Sequence, residues 1–119
     1  MPSQYDDLVN ALKATDIPFA EYGWKTIPEG MHGVVAIDFE SSHLNGDGQK
    51  LDRVWEGSVD VFFTALNDRD SIVSAVEDKL TEVCGSAWEL NSTTYEHQTG
   101  LFHFEWVFEV QDVTEADAD

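Results

Sequence analysis

At 119 residues the chain has room for one hydrophobic core, and its 42% apolar residues, with 7 Phe, 4 Trp and 3 Tyr among them, can build it without covalent staples. The net charge of −18, from 24 acids against 6 bases, argues against a grip on DNA or an anionic membrane surface, because too few Lys and Arg are present to release counterions. Cys84 is the only cysteine, which excludes an internal disulfide and a thiolate metal site and fits a reducing compartment. Its apolar helical neighbours predict a buried structural thiol rather than a nucleophile.

No segment approaches the ~20 apolar residues that span a bilayer, and Met1 to Asp7 holds neither a basic region nor an apolar stretch of signal length. A soluble chain with no membrane contact is expected. The acids are spread through the chain, 11 in residues 1–60 and 13 in residues 61–119, so most of them belong to the folded surface. Such a surface would repel nucleic acid, imitate it, or suit high salt.

The first helix is predicted over Gln4 to Ala14. Ser3 is its candidate N-cap, Asp6 and Asp7 sit in the first turn, and Lys13 sits in the last. Tyr5, Leu8, Val9 and Leu12 form one apolar stripe, and Pro18 forces Ile17 out of helical geometry. A short extended piece, Phe19 to Tyr22, leads into a connection rich in Gly and Pro.

Gly33 to Glu40 reads as a strand, with Val35, Ile37 and Phe39 on one face and Ala36, Asp38 and Glu40 on the other. Ser41 to Asp52 reads as an exposed loop around Asn45-Gly46-Asp47-Gly48. Arg53 to Leu66 alternates again, with Trp55, Gly57, Val59, Val61, Phe63 and Ala65 in one phase. Phe62 and Leu66 break its polar phase, which predicts cover on both sides near the end.

A second helix is predicted over Arg69 to Cys84, capped by Asn67, Asp68 or Asp70 and stopped at Gly85. Its buried stripe is Ile72, Val76, Leu80 and Val83, with Glu77, Asp78 and Glu82 facing out. Two strands close the domain, Ala87 to Tyr95 and Leu101 to Val110, joined by a turn over Glu96 to Gly100. The strong alternation of Phe102, Phe104, Trp106, Phe108 and Val110 predicts a central strand. The expected fold is α+β, in the order α-β-β-β-α-β-β. Its antiparallel or mixed sheet has four to five strands, with both helices on one face. Residues 1–110 form this domain, and the acidic 111–119 form a disordered tail.

The search for chemistry is negative. Asn45-Gly46-Asp47-Gly48 lacks the Lys-Ser/Thr of a phosphate loop, and His43 and Val54 stand where an EF-hand needs acids. His32, His43, His97 and His103 are scattered, although His97 and His103 flank one turn; His103 falls in the polar phase of its strand. Pairs such as Asp38/Glu40 and Glu105/Glu109 share a solvated strand face and are expected to titrate normally. No Ser or Thr sits in a nucleophile elbow. Neither a catalytic residue, a metal ligand nor a cofactor is expected. Trp24, in a Gly/Pro-rich connection, is a candidate interface anchor.

Four segments carry a family signal: Leu12 to Trp24 (LKATDIPFAEYGW), Trp55 to Phe62 (WEGSVDVF), Trp88 to Ser92 (WELNS) and Tyr95 to Trp106 (YEHQTGLFHFEW). In this order, over most of residues 8–110, the chain resembles the tail-terminator, or tail-completion, proteins of the head–tail joining region of long-tailed phages. The resemblance implies a structural virion protein, made in the host cytoplasm, that closes into a ring, usually a hexamer, on the end of the tail tube. Its partners would be further copies of itself, the tail tube protein and the neck or head-completion protein. DNA would pass through without specific binding.

Loops and sheet edges carry the contacts in that family, which makes Trp24, His43, Asn45, Asp47 and His97 interface candidates here. Asp38, Glu40, Asp47 and Glu56 are candidate channel-facing acids, whose charge would keep DNA from sticking to the wall. Two other readings compete: another neck component such as a head-completion or stopper protein, and an acidic inhibitor that mimics DNA.

Overall fold

The computed structural model describes residues 3–41 and 53–112. Helix α1 spans Ser3–Lys13, strand β1 Phe19–Glu21, β2 His32–Ser41, β3 Arg53–Phe63, helix α2 Arg69–Cys84, β4 Trp88–Glu96 and β5 Leu101–Asp112. A single 3-10 turn, Leu66–Asp68, joins β3 to α2. The fold is α+β in the order that periodicity predicts.

One mixed sheet is formed, in the order β1-β2-β3-β5-β4. All neighbours are antiparallel except β1, which lies parallel to β2 with Phe19 opposite Gly33. Parallel pairing needs the chain to return to its starting end, and residues 22–31 do so. Tyr22, at a φ of 65°, turns the chain out of β1. The strand expected to be central, β5, is interior, flanked by β3 and β4, while β3 is the middle strand.

Both helices cover one face of the sheet. Tyr5, Leu8, Val9 and Leu12 of α1 and Ile72, Val76, Leu80 and Cys84 of α2 pack on Val35, Ile37, Val59, Val61, Phe63, Phe104, Trp106, Phe108 and Val110. At about 1.5–3 kcal/mol for each large apolar side chain taken from water, this layer is the main source of stability. The α2 stripe thus ends on Cys84 where Val83 was expected, and Val83 is half-buried. Burial raises the Cys84 thiol to about 11, so it remains protonated at neutral pH.

Glu77 is also placed differently from the expected outward face. It is half-buried, and its Oε2 accepts the indole N–H of the fully buried Trp106 at 2.9 Å. A buried indole needs an acceptor, and α2 supplies one. Gln4 joins three elements: its Nε2 donates to the Val83 carbonyl at 2.8 Å and its Oε1 accepts from the Gln111 amide at 2.6 Å.

Several boundaries shift for physical reasons. Helix α1 includes Ser3, which therefore does not stand outside it as a cap. Asp68 is the α2 N-cap without a side-chain bond; Ser71 Oγ instead donates to the Asp68 carbonyl at 3.1 Å. Strand β3 stops at Phe63, and Leu66 sits in the 3-10 turn at 56% exposure rather than under cover. Gly85, at φ 64°, ends α2 as predicted. Strand β5 continues past Val110 through Gln111 and Asp112, which pair with Val54 and Arg53. The remaining tail positions, 113–119, lie outside the described residues.

Two bulges reset the alternation. One falls between Ile37 and Phe39, so that Phe39 pairs with Glu56 and Glu40 with Trp55. The regular inward and outward alternation expected through Glu40 therefore ends at Ile37. The other falls between Leu90 and Ser92 on the edge strand β4.

Candidate functional site

The face of the sheet away from the helices carries the chemistry. Reading the register across β2, β3, β5 and β4 gives ordered rows. His32, Phe62, His103 and Thr94 form the first row; Val34, Asp60, Glu105 and Ser92 form the second. Ala36, Ser58, Val107 and Glu89 form the third, and Glu56 faces Glu109 in the fourth. Aromatic, acidic, small and acidic rows thus succeed one another.

The first row is continuous. Phe62 stacks on His103 at a centroid distance of 4.2 Å and on His32 at 5.1 Å, and Trp24 meets His32 edge-on at 6.4 Å. These contacts explain the apolar Phe62 in a polar phase: an imidazole on either side covers it. His32 is 5% exposed, and its Nδ1 lies 2.9 Å from the Gly30 carbonyl. A carbonyl can only accept, so Nδ1 carries the proton. Trp24, read as an interface anchor, is half-buried, with its indole N–H donating to the Gly33 carbonyl at 3.0 Å. It closes one end of the aromatic row.

The acid rows set like charges directly opposite each other, Asp60 against Glu105 and Glu56 against Glu109. Such pairs are destabilising by a few tenths of a kcal/mol or more. Neighbours offset part of this. Asp60 Oδ1 lies 2.7 Å from His103 Nε2, and Glu105 Oε1 accepts from Asn91 Nδ2 at 2.8 Å. The extra residue of the β4 bulge, Asn91, is thereby turned to a use.

Of the proposed channel acids, Asp38 and Glu56 are brought together here. The Asp38 carboxyl is held above the usual carboxylate range by partial burial first, then by the charges of Asp60, Glu105 and Glu56. For Asp38 this corrects the expectation of normal titration, which considered acids along one strand and not across three. An open groove of about 500 Å³ borders Asp38, Glu56, Trp88, Glu89 and Glu109.

Glu40 pairs through its backbone in β2, and Ser41, expected to open the loop, is the last residue of that strand, paired with Val54; the Glu40 side chain and residues 42–52, with His43, Asn45 and Asp47, lie outside the described residues. His97 is exposed in the β4–β5 turn, edge-on to Tyr95 at 5.0 Å, whereas His103 belongs to the open face; the two do not form a pair. Among the described residues no group of three or more His, Cys, Asp or Glu is arranged around a metal position. No described helix is long and apolar enough to cross a membrane.

Position His103, with Asp60 on one side and Glu96 on the other, is the site residue that the sequence did not single out. Its polar phase was visible, but its partner lies 43 positions away. Lysines and arginines with described side chains (Lys13, Lys25, Arg69 and Lys79) all stand on the helices or the 22–31 connection, so among the described side chains it is His103 that bonds these acids. In comparisons with known proteins, no family model matches the chain and no curated protein matches it significantly.

Proposed function

We propose that this chain is a structural subunit of a long-tailed phage particle, a tail terminator that closes into a hexameric ring on the tail tube and joins it to the neck. The observation that carries the reading is the resemblance in its four segments, LKATDIPFAEYGW, WEGSVDVF, WELNS and YEHQTGLFHFEW.

The architecture is compatible with a ring subunit. Among the described residues one sheet face has no helix on it, and the edge strand β4 exposes Leu90 at 42% and Tyr95 at 45%. A ring closes by a head-to-tail contact between different surfaces of neighbouring copies, for which a free edge strand is suitable material. The acid rows of the open face would then turn toward the bore, where like charge keeps DNA off the wall.

Particles assembled without this protein test the reading by electron microscopy. Over-long tails, or tails without heads, are expected; normal joined particles would overturn it. The channel role has its own test. Reversing Asp38 and Glu56 together to Lys should slow genome ejection from particles that assemble normally, and unchanged ejection would remove the acids from the bore.

A further inference from the structure

The imidazole of His103 stands between two carboxylates from different strands. Asp60 Oδ1, on β3, is 2.7 Å from Nε2, and Glu96 Oε2, at the end of β4, is 3.7 Å from Nδ1. The ring lies on Phe62, which stacks parallel to it and limits its tilt. A neutral imidazole has one N–H, so with Nε2–H given to Asp60 it would aim the Nδ1 lone pair at Glu96. Only the imidazolium satisfies both acids.

We propose that protonated His103 is a pH-sensitive clamp that ties the end of edge strand β4 and its turn to β3 across β5, and that deprotonation releases this end of the hairpin. The geometry gives the release a direction. Asp60 is 18% exposed at its side chain and directly bonded, while Glu96 is 42% exposed and more distant. Loss of one proton therefore leaves the Asp60 bond in place and turns the Glu96 contact repulsive. Glu96 also holds the turn, because Thr99 Oγ1 donates to its Oε1 at 3.0 Å and Gly100 N donates to its carbonyl at 2.8 Å.

Charged groups around the ring come from three strands, Asp60 of β3, Glu105 of β5 itself and Glu96 of β4, and His32 of β2 lies beyond Phe62. The Asp60 bond raises the His103 pKa above the ordinary imidazole value, burial opposes this, and the charges of Asp60, Glu96 and Glu105 add to the rise. A base with a raised folded-state pKa contributes stability fully below its unfolded pKa of about 6.5 and loses it as pH rises through the folded value. The clamp is thus closed in mild acid and opens as the pH rises through the folded value of His103. It does not depend on the functional reading above.

The test uses the full chain. Imidazole nitrogen NMR should show both His103 nitrogens protonated at pH 6, with a pKa above that of a free histidine. Amide exchange, corrected for intrinsic rate, should show protection at Thr94 to Gly100 about threefold lower at pH 8.5 than at pH 6. Glu96→Gln, at a half-exposed site, should abolish that pH dependence while leaving His32, His97 and Asp38 intact as controls, and Asp60→Asn should lower the His103 pKa. A His103 pKa at or below the free value overturns the clamp, as does a pH dependence that persists unchanged in Glu96→Gln.

Discussion

Gly57 sits in the apolar phase of β3 between Trp55 and Val59, where a bulky residue would be the ordinary choice. The register explains the exception. Gly57 lies opposite Phe108, and a Cβ there would meet the Ala36 carbonyl and come within 2.6 Å of the Phe108 ring. Backbone and core ring both resist moving, so Gly57→Ala should destabilise by about 1–3 kcal/mol, read as a lower urea midpoint. Asp38 shows the opposite effect. Its folded pKa is raised, so the folded state binds a proton more tightly than the unfolded chain, and stability rises as pH falls through that value. For this exposed residue Asp38→Asn should stabilise by only about 0.5 kcal/mol at neutral pH. The gain should vanish once the wild-type carboxyl is protonated in both states. Urea melts of the two proteins at pH 7 and pH 3 check both points.

At the scale of elements, α2 is held by a narrow stripe. Leu80 is fully buried against the sheet, and Leu80→Ala should cost about 2–5 kcal/mol in denaturant unfolding. Replacing the exposed Leu90 on β4 by Lys should leave the monomer's urea midpoint within about 0.5 kcal/mol. If that edge joins copies in a ring, the same change should reduce assembly by sedimentation. Helices and strands were legible in the sequence because periods of 3.6 and 2 are local. The α1 stripe, the α2 stripe as far as Leu80, and the inward phases of β3 up to Phe63 and of β5 follow directly from them. The bulge after Ile37 was not legible, nor was the parallel placement of β1. Both depend on the partner strand, which local alternation does not specify. Glu77 was read as outward for the same reason, since its partner, Trp106, lies on β5.

Across the whole molecule, the net charge of −18 is the property with the widest reach. Self-repulsion among so many acids opposes compaction, and salt screens it as the Debye length falls from ~30 Å at 0.01 M to ~3 Å at 1 M. The thermal midpoint should therefore rise steadily with NaCl over that range. A flat or falling response would mean that the acids are already far enough apart in the fold. Acid excess, strand phase and the lack of a signal or spanning segment within these residues are properties of composition and local order, and the sequence by itself determined them. It also placed His103 and Asp60 in polar phases, each alone. Only the tertiary structure decided that Asp60 faces Glu105, that Asp38 joins them, and that His103 stands between Asp60 and Glu96. Those contacts arise from strand register, which is set by non-local pairing and by bulges, and a shift of one residue would turn each side chain to the other face.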